Sequence, residues 1–273
     1  MSEFNLNIFS YSFIQYALIA ALLSGIAAGI IGTYVVVKRI SYISGGIAHA
    51  VLGGLGAAYF WNVNPLYGAL ASAIAAALII GLVKLKLKQN EDTVISALWA
   101  IGMSVGIIFA NLTPGYNVDL ISFLFGNILM ITRDSLWLLV ILDIVIVLTT
   151  LIFYKQFLYV SFDEEYSMIR GINVDFIYLL LLSLVALTVV ILVQTVGLIL
   201  VIALLTLPSA IAHMFSKSLF RIIIYSILLV TFFSVTGLLI SIYLNIPSGA
   251  SIILTCGIGY ISAFSVTILR TKN

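Results

Sequence analysis

The sequence is dominated by long stretches that contain no Asp, Glu, Lys or Arg. These stretches occupy residues 11–37, 40–83, 93–118, 176–216 and 222–269. A helix that crosses a bilayer needs about 20 apolar residues, so each of the three longest stretches can hold two crossings. Charged residues make up 8% of the 273 positions, whereas an ordinary soluble chain has about 25%. The sequence therefore predicts an integral membrane protein with many transmembrane helices.

Turn residues divide the longest stretches where two helices would meet. Asn and Pro at 62–65 interrupt one stretch, and a similar group at 245–249 interrupts the last. The segment 119–131 is apolar but short, and such segments are more often re-entrant or interfacial than spanning. We predict an all-α polytopic helical bundle of eight or nine transmembrane helices, forming one domain over residues 1–273. The predicted crossings are 13–37, 43–61, 66–85, 93–111, 135–154, 175–193, 196–215, 221–244 and 250–269.

The basic residues predict the orientation, because they concentrate in cytoplasmic loops. With the amino terminus outside and 119–131 not crossing, eleven of the twelve Lys and Arg residues fall inside. Only Arg133 falls outside. Nine crossings fit this distribution best, and eight remain if the first segment or the turn at 194–197 is misread.

The second crossing carries a histidine among small residues. Positions four apart share a helix face, so Gly45, His49 and Gly53 form one row, and Gly46 and Gly54 lie in the next. Small residues at this spacing let helices approach closely in lipid. An ionisable group at this depth usually faces the bundle interior or a water-filled path, and imidazole binds zinc, manganese or copper. From the residues alone, a histidine hydrogen-bonded to a neighbouring helix is an equal alternative to a metal ligand.

The most polar segment, 161–173, lies between the fifth and sixth crossings. It opens with Asp163, Glu164 and Glu165, which suit the positive end of a helix, and it closes with Gly171, which suits helix termination. This pattern predicts a short helix between two membrane spans. Composition alone favours a solvated connector over a docking element.

Two further residues in the crossings stand out. Asp143 lies inside the fifth crossing, where a carboxyl group must be neutral, paired or facing water. Pro208 lies inside the seventh crossing and is predicted to kink it, which membrane helices tolerate. The sequence alone does not show whether the Asp143 carboxyl is neutral, paired or facing water.

Four stretches together resemble the metal-cation permease family of ATP-binding-cassette (ABC) importers, which take up zinc, manganese or iron. The resemblance spans nearly the whole chain in the family's order. It implies the permease fold of the metal, siderophore and cobalamin importers. The stretches are VVVKRISYI at 35–43 followed by AHA at 48–50, EDT at 91–93, LFGNIL at 124–129, and VGLILVIALL at 196–205 leading to PSA at 208–210.

The resemblance implies roles for particular residues. His49 would be a transient ligand for the cation on its path, and many members carry Asp four positions earlier, where this chain has Gly45. Two copies of His49 near a dimer axis would suit zinc better than a carboxylate-rich manganese site. Segment 161–173 would be the coupling helix that seats in the ATPase subunit, with Asp163, Glu164, Ser167 and Gly171 in that contact.

The resemblance also implies partners. These are a second copy of the chain, cytoplasmic ABC ATPase subunits, an extracytoplasmic metal-binding protein and the lipid bilayer of a prokaryotic cell membrane, with no nucleic acid. The cargo would be zinc or manganese, and no stably bound cofactor is expected.

The predicted function is a non-enzymatic permease that imports a divalent metal by alternating access. The sequence contains no Gly-rich loop ending in Gly-Lys-Ser or Gly-Lys-Thr, so ATP hydrolysis is expected in separate subunits. One alternative is a stand-alone secondary metal transporter, which would normally place several ionisable groups near the midplane, where this chain offers only His49 and Asp143. The other is an ABC permease for a metal chelate such as a siderophore or cobalamin.

Overall fold

A computed structural model describes residues 11–87, 91–113, 126 and 128–272. Among the described residues, short turns connect most of the consecutive long helices. The helices are α1 (Ser12–Val37), α2 (Ser41–Phe60), α3 (Pro65–Leu82), α4 (Glu91–Leu112), α5 (Arg133–Ile152), α6 (Tyr154–Phe162), α7 (Glu164–Ile169), α8 (Val174–Val196), α9 (Leu198–Phe215), α10 (Leu219–Leu244) and α11 (Ser248–Lys272). A π-helical turn, Val83–Leu87, extends α3.

Nine helices within the described ranges are long and apolar enough to cross a membrane. They coincide with the nine predicted crossings to within a few residues. The all-α polytopic fold is therefore confirmed. The structure differs at the end of the fifth crossing, where α5 ends at Ile152 and α6 begins as a separate helix at Tyr154.

Backbone groups at helix ends need partners, since the hydrocarbon core supplies none. The side chain of Asn64 accepts a hydrogen bond from the Leu66 amide at 3.0 Å at the start of α3. The side chain of Asn173 accepts one from the Phe176 amide at 3.0 Å at the start of α8. These caps explain why the spans begin where they do.

Helices α1 and α8 form the centre of the bundle, and most of their residues are buried. A hydroxyl pair joins them, with Ser24 Oγ 3.3 Å from Thr195 Oγ1. Lys38, which follows α1, and Lys84, which follows α3, both lie over the ring of Tyr178 in the first turns of α8. We call this end of the bundle the basic end.

The helical conformation is interrupted between α8 and α9 at Gly197. The φ of Gly197 is 84°, a left-handed conformation that suits glycine. Thr195 pairs with Ser24, halfway along α1, so this break lies within the depth of the bundle. Gly126 packs directly against the break, and Ile128 nearby is buried. Most of the predicted re-entrant segment 119–131 lies outside the described residues, but its final part enters the bundle as a 3-10 turn, Ile128–Met130.

Candidate transport site and docking helix

Glycines join α2 and α4 into a close pair. A Cβ added at Gly53 would meet the carbonyl oxygen of Gly102, and one added at Gly56 would meet that of Gly106. On another face of α2, a Cβ added at Gly54 would likewise meet the carbonyl oxygen of Gly68 in α3. The predicted small-residue rows are therefore contact surfaces at which the backbones approach closely.

His49 lies in this α2–α4 contact, and Trp99 of α4 covers it. The two rings are stacked, with centroids 4.0 Å apart and planes inclined by 17°. His49 is eight residues after the start of α2, and Trp99 is eight residues after the start of α4. At 1.5 Å per residue, both lie roughly 12 Å into a hydrocarbon core about 30 Å thick. The pair is thus near the middle of the membrane.

The hydrogen bonding of His49 bears on its role. The side chain is 7% exposed, and its Nδ1 is buried without a hydrogen-bond partner among the described residues. A buried imidazole that serves packing alone normally has its polar atoms satisfied, because an unpaired one costs about 1–3 kcal/mol. The unpartnered nitrogen therefore favours the ligand interpretation over the packing one.

Gly45 lies one turn before His49, and its neighbours explain the small residue. A Cβ built at Gly45 would lie 3.2 Å from the Trp99 ring and 3.4 Å from Cδ1 of Ile202. A larger side chain at position 45 would have to displace one of them. Trp99 thus occupies the space that an aspartate at this position would need. On the next row, a Cβ at Gly46 would meet the side chain of Ile95.

Sequence reasoning did not single out Trp99. The sequence did contain a pattern that could have identified Trp99. It lies on α4 three residues before Gly102, on the face that carries Gly102 and Gly106. The partner across the contact became visible only when α4 was placed against α2. Within the described part of the chain, no three His, Cys, Asp or Glu residues come together as a metal cluster.

Asp143 lies on a different helix pair. Both its carboxylate oxygens are buried without a hydrogen-bond partner among the described residues. Asp143 is one of the residues that line a cavity of about 280 Å³ between α5 and α1, together with Leu23, Ile26 and Val147. Asp143 therefore faces α1, whereas His49 faces α4. Pro208 is buried inside α9, and the kink expected there stays a prediction.

The acidic segment forms the short helix α7, as its sequence pattern predicted. The Asp163 side chain caps it by accepting a hydrogen bond from the Tyr166 amide at 2.9 Å. Gly171 follows with a φ of 75°, and the chain then enters α8. A Cβ added at Gly171 would meet nothing within 4 Å, so only the backbone conformation requires glycine there.

Ser167 and its neighbours on α7 face in opposite directions. Ser167 is fully buried in its own chain, and its hydroxyl donates to the Asp163 carbonyl oxygen at 2.6 Å. Met168 and Ile169 point outward and are 57% and 84% exposed. The end of α7 therefore exposes two large apolar side chains next to the exposed Glu164 and Glu165 at its start, and Ser167 packs on the opposite side.

Glu164 ties α7 to the end of α1. Lys38 Nζ lies 2.8 Å from Glu164 Oε1 and donates another hydrogen bond of 2.8 Å to the Val160 carbonyl oxygen. The Lys38 side chain is only 6% exposed, so solvent screens this pair less than a surface pair. The acidic segment is thus joined to the first span by a charge-assisted contact.

Comparison with known proteins places the whole chain in one group. The model of the ABC 3 transport family matches residues 10–267. A probable metal transport system membrane protein of Chlamydia trachomatis is 43% identical over 263 residues, which cover 94% of this chain and 88% of that protein. A manganese transport system membrane protein of Listeria monocytogenes is 35% identical over 258 residues, covering 94% and 92%.

A solved structure shares the fold. PsaBC from Streptococcus pneumoniae, determined in complex with a Fab, superimposes with a TM-score of 0.87 at 32% identity and covers 98% of both chains. The bundle described above is therefore the architecture of an ABC permease.

Proposed function

This chain belongs to the ABC 3 transport family, and on that premise we propose that it is the permease subunit of an ABC importer for a divalent metal cation. Manganese is the cargo named for several relatives, and zinc is the alternative that an imidazole ligand favours. The cation is the substrate and passes through the bundle without a stably bound cofactor.

The observation that carries this proposal is the buried His49 with an unpartnered Nδ1 near the middle of the membrane. A single imidazole binds a cation weakly, and weak binding suits transport because the ion must also leave. Stacking on Trp99 holds the imidazole ring of His49 in place at the α2–α4 contact. We propose that His49 is a transient ligand and that Trp99 orients it.

We further propose that two copies of the chain enclose the pathway. Most exposed surfaces of the bundle carry large apolar side chains that suit lipid, as on α11, where Leu254, Ile258 and Ile261 are all more than 60% exposed. Helix α4 differs, since much of its exposed face near Trp99 consists of small or polar residues. These are Ser96, Ala97, Ala100 and Ser104. Small and polar residues on a membrane helix favour a helix contact or a water-filled path over lipid.

The ATPase contact is proposed at α7. Its exposed apolar residues, Met168 and Ile169, suit a groove on a cytoplasmic protein and do not suit water. The helix is capped at Asp163 and tied to α1 through Lys38, so a force on α7 reaches the first span. In this arrangement ATP is hydrolysed in separate subunits.

The remaining parts of the importer follow from the same proposal. The basic end faces the cytoplasm of a prokaryotic cell, and the protein lies in the cell membrane. An extracytoplasmic binding protein delivers the cation at the opposite end.

The test is reconstitution of the chain with its ATPase and its binding protein in liposomes. We expect ATP-dependent uptake of manganese or zinc, measured in parallel with radioactive ions. Uptake of neither ion would contradict the proposed cargo. Uptake that continues without the ATPase would instead support a stand-alone transporter.

A further inference from the structure

An apolar groove lies between the last turns of α9 and the following helix, α10. Its volume is about 300 Å³, at the lower end of the range for ligand-binding clefts. The residues that line it are Ile211, Ala212, Phe215, Tyr225, Leu228 and Leu229. The hydroxyl of Tyr225 is the one polar group on these six side chains, so the groove suits a hydrocarbon chain.

A hydrogen bond between helices fixes the depth of the groove. Thr33 Oγ1 donates to Ser226 Oγ at 3.1 Å, so Tyr225, the neighbour of Ser226, lies level with Thr33 of α1. Thr33 precedes Lys38 by five residues, which is roughly 8 Å along the helix axis. One leaflet contributes about 15 Å to the hydrocarbon core. The groove therefore lies within the leaflet at the basic end.

The groove is open toward the membrane and closed toward the bundle. Phe215, Tyr225 and Leu228 on its rim are 47%, 43% and 61% exposed, whereas Ala212 is buried. A helix of another protein chain is about 10–12 Å wide with its side chains, which is too wide to enter a groove of this volume. A single acyl chain is narrow enough to enter.

Positive charge lies beyond the end of the groove. Arg221, Tyr225 and Leu228 are spaced four and three residues apart, so they form one row on α10. Helical side chains lean toward the amino terminus, and the exposed Arg221 therefore extends from the groove toward the level of the lipid headgroups. Lys217, in the turn between α9 and α10, is also exposed. Neither cation has a salt-bridge partner among the described residues.

We infer that this groove binds an acyl chain of an anionic phospholipid from the leaflet at the basic end, with the lipid phosphate at Arg221. The apolar lining matches the chain, and the two unpaired cations match the headgroup, since basic clusters at the ends of membrane helices attract anionic lipids. Tyr225 lies between the two parts, as amphipathic rings do at a membrane interface.

The bound lipid would pack against a segment of α9 that follows its proline. Ile211 and Ala212 come three and four residues after Pro208. The lipid would therefore hold the end of α9 against α10. The inference does not depend on which cation is transported or on the role of His49, so failure of the uptake experiment would leave it unaffected.

The experiment uses the whole chain, purified in a neutral detergent and depleted of lipid. Thermal unfolding is followed by tryptophan fluorescence during titration with phosphatidylglycerol or with phosphatidylcholine of the same acyl chains. We expect saturable stabilisation at about tenfold lower concentrations of phosphatidylglycerol, because its phosphate forms a charge-assisted contact without a competing positive charge. Arg221→Gln should remove this difference, and Arg221→Lys should keep most of it.

Leu228→Gln tests the acyl chain, because it places a polar group on the wall of the groove. It should weaken the response to both lipids by about tenfold. Leu254→Gln is its matched control, since Leu254 is 63% exposed on α11 and does not line the groove. Lys155→Gln is the control for Arg221→Gln, because it removes an exposed positive charge from α6. Both controls should respond like the unmodified chain.

The inference is overturned if the two lipids stabilise the unmodified chain equally, or if Arg221→Gln responds like Lys155→Gln. It is also overturned if Leu228→Gln keeps its response to lipid but loses a dimer in light scattering, since the groove would then belong to a second copy of the chain. If Leu228→Gln does not fold, the two Arg221 variants decide the result, because Arg221 is exposed and its replacement leaves the packing unchanged.

Discussion

At the scale of single residues, His49 and Trp99 act as one unit. The histidine supplies an unpartnered nitrogen in the middle of the bundle, and the tryptophan ring covers its face at 4.0 Å. Gly45 leaves the space that the tryptophan ring occupies. The three residues together explain how the His49 imidazole is held in a defined position in a chain that has glycine at position 45.

Replacement of His49 by Ala should reduce metal uptake about tenfold or more, because the pathway loses its ligand at the midplane. The amount of protein in the membrane should stay close to normal, since the change removes an unpaired polar group. Uptake of radioactive manganese and zinc measures the effect. His213→Ala is the control, because His213, the chain's second histidine, is exposed near the end of α9. Normal uptake by a well-expressed His49→Ala variant would remove His49 from the mechanism.

Replacement of Trp99 by Ala should raise the metal concentration needed for half-maximal uptake by roughly two- to tenfold, the range that a lost aromatic contact predicts. The maximal rate should change less, because His49 itself remains. Trp99→Phe keeps a stacking ring and should restore the affinity. Equal affinities for the Ala and Phe variants would show that the ring does not orient His49.

At the scale of elements, α7 exposes Met168 and Ile169 at its end and is packed against its own chain through Ser167. Ser167 is buried and packs the helix against its own chain, so we expect Ser167→Trp to lower the amount of folded protein. The outward residues Met168 and Ile169 are free to contact a partner without any rearrangement of the fold. Docking and folding can therefore be separated by the choice of residue.

If α7 is the ATPase contact, Ile169→Asp should abolish ATP-driven uptake while leaving the thermal stability of the isolated permease unchanged, because Ile169 is 84% exposed in the permease itself. Co-purification of the ATPase with the variant measures docking. Ile246→Asp is the matched control, since Ile246 is also exposed but follows α10 at the opposite end. Normal ATPase binding by the Ile169 variant would place the docking surface elsewhere.

Gly171 tests the turn that joins α7 to α8. Gly171→Val should lower the stability by roughly 1–2 kcal/mol, because a β-branched residue is strained at a φ of 75°. Gly171→Asn should cost less, since Asn tolerates the left-handed conformation. Thermal unfolding of both variants distinguishes strain from crowding. Crowding would penalise Asn as much as Val.

At the scale of the whole molecule, the bundle has two chemically different ends. Lys38 and Lys84 meet Tyr178 at the basic end, where α7 also lies. The turns between α2 and α3 and between α10 and α11 lie at the opposite end. This separation matches the orientation in which the basic residues are cytoplasmic.

Cysteines introduced at Val63 and Ile246 should react with an impermeant thiol reagent in intact cells, because both positions are exposed at the opposite end. Cysteines at Ile169 and Ser218 should react only after the membrane is opened. The native Cys256 is buried and should contribute little background. Labelling of Ile169→Cys from outside would reverse the orientation and exclude α7 as the ATPase contact.

The sequence by itself predicted nine spans as the best fit, with eight as the alternative, and it predicted their approximate limits, the turn at Gly171 and the helical character of the acidic segment. These properties are local, because the transfer free energy of a span depends on its own 20 or so residues and a cap depends on three or four neighbours. His49 was also recognisable, since a histidine in an apolar stretch is conspicuous whatever surrounds it. The separate helix α6 was missed, because its nine residues are too few for a span and include the polar Lys155 and Gln156.

The tertiary structure alone decided which groups meet. Trp99 reaches His49 from 50 positions away, Glu164 reaches Lys38 from 126 positions away, and Thr195 reaches Ser24 from 171 positions away. It also buried Ser167 against its own chain. Such contacts depend on how helices pack in three dimensions, and that packing is set by close approach at glycines and by charge pairing, which no single stretch of sequence contains.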